Sequence, residues 1–291
     1  MTFFAEFVST TLAAACGPAS HRYLILDASA TRPVDFVRAL ALKGQAIDLL
    51  TRKPCTWREC ASPVLIRLPT EAASVAICRR ARELMNDWRY ANCFLYVESP
   101  HAPDVAVRLF AERTDAVLPQ DMSVVLRYFD SRIFGTLMRV LDDWQLRAFL
   151  AAGTRWALPG RTGELLLLDH GNDPEAPVFT APLVLGTAQE AALIDAAETD
   201  AMVDLLLNQN NSVLLNLLPP QQFERIGQAL ARANGLGLRE LGDQVAYCSL
   251  DLDLGPAFIH DSPWVEGLGS VKEGRMSLSA LIEQAARGAS A

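Results

Sequence analysis

Phosphate-binding glycine loops are missing from this sequence. It has no GxxxxGK[ST] run and no GxGxxG following an apolar strand segment, so the usual signatures of a nucleotide site are absent. It has no GxSxG elbow either, the strained turn that presents the nucleophile of an α/β-hydrolase. Six cysteines occur, Cys16, Cys55, Cys60, Cys78, Cys93 and Cys248, yet none forms a CxxC pair. No neighbouring histidines complete a zinc pattern. The four histidines, His21, His101, His170 and His260, are spread along the chain and offer no motif. Basic charge is in deficit, with 26 Lys and Arg against 34 Asp and Glu, a net −8. A phosphate backbone would be repelled by that balance. No window reaches the apolar length that spans a bilayer. These absences predict a chain with no metal, no cofactor, no nucleic-acid partner and no membrane partner.

What is present is a core-forming composition. Half the 291 residues are hydrophobic and about a fifth are charged, enough to bury one large domain or two ordinary ones. The cysteines lie in apolar runs, as Cys93 does in CFLYV, and read as buried free thiols in a reducing cytoplasm. The opening MTFFAEFVSTTLAAAC resembles a lipoprotein signal only superficially. It carries Glu6 where a basic segment is needed. Phe3, Phe7, Val8, Leu12 and Ala15 recur at helical spacing and predict an amphipathic first helix.

The first half alternates between two hydrophobic periods. Apolar runs at Arg22 to Ala28, Ala46 to Leu50, Ser62 to Leu68, Asn92 to Ser99, Ser123 to Phe129 and Glu164 to Leu168 predict strands. Helical spacing separates them from Thr31 to Lys43, Thr70 to Trp88, after Pro103, and after Asp130, which stands at an N-cap position. The alternation predicts an α/β N-terminal lobe, a layered sheet with flanking helices, over residues 1–168. Parallel strands need crossover helices, and these helices are long enough to serve. Residues 169–186 hold three prolines and several acids and read as a linker. Residues 187–291 predict a smaller, mostly α-helical C-terminal lobe. There Thr187 and Glu190 match a capping box, and Leu193, Ala197, Ala201 and Leu205 follow at intervals of four. Pro219 and Pro220 open a helix that ends at Asn234-Gly235, and Ser277 caps a last one. Gln244 to Leu254 reads as extended.

One charged constellation stands out. In LRYFDSRIF, Arg127 and Arg132 bracket Asp130 at the end of an apolar run. An anion-binding or catalytic pocket is one reading, since α/β sheets bind ligands at strand ends. A helix cap whose spare lone pairs are satisfied by an arginine is the other, and the one preferred. His170 between Asp169 and Asp173, and His260 beside Asp261, read as solvated loops rather than metal or catalytic sites.

Four segments carry a resemblance. They are YLILDA (Tyr23 to Ala28), ASPVLIRL (Ala61 to Leu68), LRYFDSRIFGTLMRVL (Leu126 to Leu141) and FLAAGTRWALPG (Phe149 to Gly160). In this order and spacing they resemble the effector adaptors, or effector chaperones, of the bacterial type VI secretion system, catalogued as a domain of unknown function. The match covers roughly residues 20 to 160. Its motif positions here are Asp27, Pro63, Arg127, Asp130, Arg132 and Trp156. Ser131 stands where the family usually has proline, and Tyr128-Phe129 reverses its commoner aromatic order. The resemblance implies a non-enzymatic, cytoplasmic protein that binds an effector toxin and helps load it onto a VgrG-like secretion spike protein. Phe258, Trp264 and Val265, in an apolar segment flanked by acids, are the candidate partner-binding residues. The alternative is an α/β enzyme with a site near Arg127, Asp130 and Arg132.

Overall fold

The computed structural model describes residues 20–27, 46–54, 63–68, 94–161, 164–171 and 173–289. The expected first helix, the helices over 31–43 and 70–88, and Cys16, Cys55, Cys60, Cys78 and Cys93 lie outside these residues. The chain divides into two compact units, Met1–Asp195 and Ala196–Ala291.

The first unit is built on a seven-stranded sheet. Its strands are β1 (His21–Asp27), β2 (Ala46–Asp48), β3 (Lys53–Pro54), β4 (Pro63–Leu68), β5 (Phe94–Ser99), β8 (Arg155–Pro159) and β9 (Leu165–Asp169), in the order β3-β2-β4-β1-β5-β8-β9. Every pairing in it is antiparallel. The crossover topology suggested by the alternation is therefore not what the sheet uses. Arg22 to Asp27 of β1 are all buried. A strand covered on both faces reads as a continuous apolar run whichever way its neighbours point.

A second sheet has three strands, β6 (Asp115–Leu118), β7 (Met122–Val125) and β10 (Leu183–Val184), in the order β10-β6-β7. Here β10 and β6 form a parallel pair. The run expected to be extended to Phe129 leaves this sheet after Val125. The Leu126 amide donates to the Thr114 carbonyl at 2.7 Å, and a turn closes from the Asp130 amide to the Arg127 carbonyl at 3.0 Å. That turn delivers Tyr128 and Phe129 to the core, both buried.

Among the described residues three α-helices accompany the sheets: α1 (Pro103–Glu112), α2 (Ser131–Val140) and α3 (Asp143–Leu150). Pro103 at the start of α1 costs no hydrogen bond, because the first amides of a helix have no partner inside it. Asp142 and Gln145 complete a reciprocal capping box on α3. The core gathers Tyr23, Leu95, Phe110, Phe134, Phe149 and Trp156, each fully buried.

Residues 169–186 are not a free linker. Leu183 and Leu185 are buried in the first unit's core, and Phe179 packs against it. The prolines and acids gave the segment a surface composition, but a few apolar residues suffice to pin it down. The division between units falls later, inside α4 (Thr187–Asn208).

The second unit is helical. Beyond α4 come α5 (Ser212–Leu215), α6 (Pro219–Gly235), α7 (Leu241–Leu254), a tight helical turn over Pro256–His260, α8 (Trp264–Lys272) and α9 (Leu278–Ala289). The stripe that α4 buries is Met202, Val203 and Leu206. Ala197 and Ala201, expected inward, are exposed. Gln244 to Leu254 is helix, not strand. Its alternating SLDLDL masked a helical set, in which Gln244, Tyr247, Cys248, Asp251 and Leu252 are buried. Ser277 caps α9 as expected, with its hydroxyl accepting from the Ala280 amide at 3.2 Å.

Candidate functional site

The charged constellation of the first unit resolves into two ion pairs with different partners. Asp27 ends β1, in the middle of the large sheet, and lies directly opposite Pro63 of β4. Its carboxylate is buried and accepts from Arg127 Nη2 at 2.5 Å, while the Arg127 side chain stays half exposed. The second pair is local. Asp130 is the N-cap of α2, accepting the Arg132 amide at 2.9 Å. Its two oxygens also receive Arg132 Nε at 3.0 Å and Nη2 at 2.7 Å. The carboxylate of Asp130 is buried and Arg132 is partly so. The expected cap is there, and the arginine that completes it is Arg132. Arg127 instead ties the turn to the sheet across 100 residues of sequence.

Trp156 anchors the same region from β8. It is fully buried, stacks on Phe134 of α2 at 5.5 Å and 29°, and meets Phe110 edge-on at 5.8 Å. Its indole N–H donates to the Leu150 carbonyl at 3.2 Å. Gly153 lets this happen. A Cβ there would overlap the Val97 side chain and sit 2.9 Å from the Glu98 carbonyl oxygen. Pro63, Asp27, Arg127, Asp130, Arg132 and Trp156 thus belong to one unit and brace the sheet, the turn and α2.

Arg113 is the residue that sequence reading missed. It is buried, and its guanidinium donates to the carbonyls of Phe149 at 2.7 Å, Leu109 at 2.7 Å and Ala148 at 2.8 Å. Those of Ala148 and Phe149 lie in the last turn of α3, where the helix dipole favours a cation. The ring of Phe179 lies 4.4 Å from its Cζ. Burial pulls the Arg113 pKa down to about 10, still above neutrality. Burial also holds the Tyr128 phenol well above its ordinary range, and that hydroxyl donates to the Phe110 carbonyl at 2.9 Å. Nothing in the local sequence marks Arg113, since two of its three carbonyl partners lie 35 and 36 positions away.

The acids flanking His170 are engaged. Asp169 takes Arg155 Nε at 2.6 Å, and Asp173 takes Arg147 Nη2 at 2.7 Å. The Arg147 pair holds the Asp173 carboxyl below its usual range. Among the described residues no group of three His, Cys, Asp or Glu side chains could hold a metal ion. No described helix is long and apolar enough to cross a membrane.

In the second unit the three candidate partner-binding residues part company. Phe258 is core, buried against Tyr247 at 5.6 Å and Trp264 at 5.3 Å between ring centroids. Trp264 is partly buried over it. Of the three, Val265 is half exposed, at the start of α8. Beneath this layer sits a buried charge. Asp251 of α7 is fully buried and meets Arg225 Nη2 at 2.8 Å and Arg232 Nη2 at 2.5 Å, both arginines coming from α6.

Residues 22–148 match the family model of a domain of unknown function, DUF4123. The matched stretch is shorter than half the chain and lies within the first unit. It takes in Asp27, Pro63, Arg127, Asp130 and Arg132, and stops short of Trp156. No curated protein and no solved structure matches the chain.

Proposed function

We propose that the chain is a non-enzymatic adaptor that binds a type VI secretion effector toxin in the cytoplasm of the producing bacterium and helps load it onto the VgrG-like spike. The observation that carries this reading is the coincidence of the DUF4123 match with the braced corner of the first unit. Each acid of the motif faces an arginine there, so its charged residues bind sheet, turn and helix together. An adaptor needs a stable scaffold and a presented surface, and a motif of this kind supplies the scaffold. The rival reading, an enzyme acting through Arg127, Asp130 and Arg132, would need these groups turned toward a substrate. Arg127 and Arg132 are instead committed to buried carboxylates.

The test is a clean in-frame deletion in the native bacterium, followed by quantitative mass spectrometry of secreted and cellular proteins. One effector should disappear from the secreted fraction, while secretion of the tube protein and of other effectors continues. That effector should also co-purify with the tagged adaptor at stoichiometric level. An unchanged set of secreted effectors would overturn the proposal.

A further inference from the structure

The seven-stranded sheet ends differently on its two sides. At one edge β3 is two residues long and consists of Lys53 and Pro54. A short strand with lysine and proline discourages further pairing. At the other edge β9 runs for five residues, four of them leucine, with no lysine or proline. Leu166 and Leu167 are 36% and 43% exposed. Among the described residues no strand pairs with the outer side of β9. An open apolar edge of this kind is a template for another strand.

The ladder fixes which backbone groups are free to pair. The Gly160 amide donates to the Glu164 carbonyl at 2.8 Å, and the His170 amide donates to the Thr154 carbonyl at 2.9 Å. Hydrogen-bonded positions alternate along an antiparallel pair. Glu164, Leu166, Leu168 and His170 therefore turn their backbone groups toward β8. Leu165, Leu167 and Asp169 turn theirs outward, a row of three donors and three acceptors.

Charge gives this edge a preference. Arg22 of β1, Glu98 of β5, Arg155 of β8 and Asp169 of β9 lie directly opposite one another in successive pairs. They make a row of alternating sign across four strands, on the sheet face that Leu165 and Leu167 share. Asp169 ends the row. One of its carboxylate oxygens takes Arg155 Nε at 2.6 Å, and its side chain is 61% exposed. Beyond it, Asp173 is engaged by Arg147, and Arg161 and Glu164 stand together at the hairpin end of β9. Opposite charges directly across a ladder stabilise it and like charges destabilise it, so a basic residue on an added strand continues the row. A second copy of this chain fits less well. In the antiparallel register that pairs all three outward residues of two copies, Asp169 faces a leucine, and each chain brings a net charge of −8.

We infer that β9 receives an extended segment of the protein partner as an eighth, antiparallel strand, with a basic residue opposite Asp169 and apolar residues opposite Leu167 and Leu165. Main-chain bonds to the three outward residues supply the affinity, and the side chains set the register. Assigning the segment to the effector rests on the adaptor reading. The strand site itself does not.

The probe is the capped peptide Gly-Arg-Thr-Val-Thr-Val-Gly, titrated into the full-length chain and followed by amide hydrogen exchange. In the free chain the amides of Leu165, Leu167 and Asp169 should exchange much faster than those of Leu166 and Leu168. With peptide at ten times its Kd the first three should slow about tenfold. N-methylation of the first valine, whose N–H faces β9, should abolish this. N-methylation of the first threonine, whose N–H faces away, should not. Protection of Leu167 in the free chain would mean that the edge is already covered, and protection that grows with chain concentration would assign it to a second copy. Either result, an absence of slowing with peptide, or equal effects of the two methylations would overturn the strand site. Replacing the peptide arginine by glutamate should weaken binding at least threefold, and Asp169→Asn should remove that difference. A difference that persists there comes from the overall charge and overturns the pairing with Asp169. Leu167→Pro deletes an outward N–H that the β8 ladder does not use, and Leu167→Lys places an edge-blocking charge. Whichever keeps the wild-type circular dichroism should lose the peptide and cut effector co-purification at least tenfold. If such a variant lost the peptide yet retained the effector, the effector assignment would be wrong and the adaptor reading would stand. If the peptide bound as expected but no effector co-purified with wild type, the adaptor reading would fail and the strand site would remain.

Discussion

Asp251 shows how a single residue can set the architecture of a helical unit. Its carboxylate has no access to solvent, so it is tolerated only because two arginines one helix away reach it. Both arginines are less than a third exposed, which keeps the attraction from being diluted by water. Arg225→Ala and Arg232→Ala should each cost about 1–2 kcal/mol, because the other arginine still neutralises the acid. The double variant should cost more than the sum by at least about 1 kcal/mol, because Asp251 is then buried alone. Urea unfolding of the four proteins gives the coupling directly, and strict additivity would mean that the two contacts are independent. The sequence concealed this residue. In SLDLDL the acids alternate with leucines, and alternation is the mark of a half-buried strand. Only the partners on α6, about 20 residues away, decide that Asp251 points inward. Asp27 was legible for the opposite reason: it ends an uninterrupted apolar run, where a charge stands out. Its partner Arg127 was not, because nothing local links two residues 100 positions apart.

At the scale of elements, α2 is the clearest case of local sequence dictating structure. Asp130 precedes an apolar helical period, and its side chain does what an N-cap does, accepting a first-turn amide. It also holds Arg132 by two bonds, so cap and ion pair share one carboxylate. The two roles separate by substitution. Asp130→Asn keeps an oxygen for the amide but breaks a charge-assisted pair whose carboxylate is buried, and should cost about 1–3 kcal/mol. Asp130→Ala loses the cap as well and should cost about 1 kcal/mol more than the asparagine variant. Thermal melts of both proteins check the order, and an alanine variant as stable as the asparagine one would remove the cap from the account. Ser131 suits this geometry, since the first helical position accepts residues other than proline. Element type was readable wherever a long period was present, as in α1, α2, α6 and α9. It failed where a helix is buried on more than one side, as α7 is, because no polar face remains to show the period. Strand direction failed in the same way, since burial on both faces of β1 erases the alternation that would separate a solvated antiparallel sheet from a covered one.

At the scale of the whole chain, the segment 169–186 decides how the first unit is completed. Composition marks it as a connector, with three prolines and three acids among eighteen residues. Packing makes it structural. Leu183 and Leu185 are at most 5% exposed, β10 adds a strand beside β6, and Phe179 covers the buried Arg113. Gln145 and Gln189 fasten the far end, Gln145 donating to the Val184 carbonyl at 2.8 Å and Gln189 to the Val140 carbonyl at 3.0 Å. Burying a leucine stabilises by about 1.5–3 kcal/mol, so the two leucines together rival a large share of the 5–15 kcal/mol that holds an ordinary domain. A chain ended at Leu168 forfeits both, along with the ring over Arg113. It should therefore lack a cooperative melt and the near-ultraviolet dichroism expected of a rigidly packed Trp156. A chain ended at Asn208 keeps the segment and the whole of α4, and it should melt cooperatively with that dichroism intact. The comparison is sharp because the two fragments differ by only 40 residues, of which Asp169 alone, the last residue of β9, belongs to the seven-stranded sheet. Equal melting temperatures would mean that the large sheet and the helices beside it stand without β10, and that residues 169–186 are a tether after all.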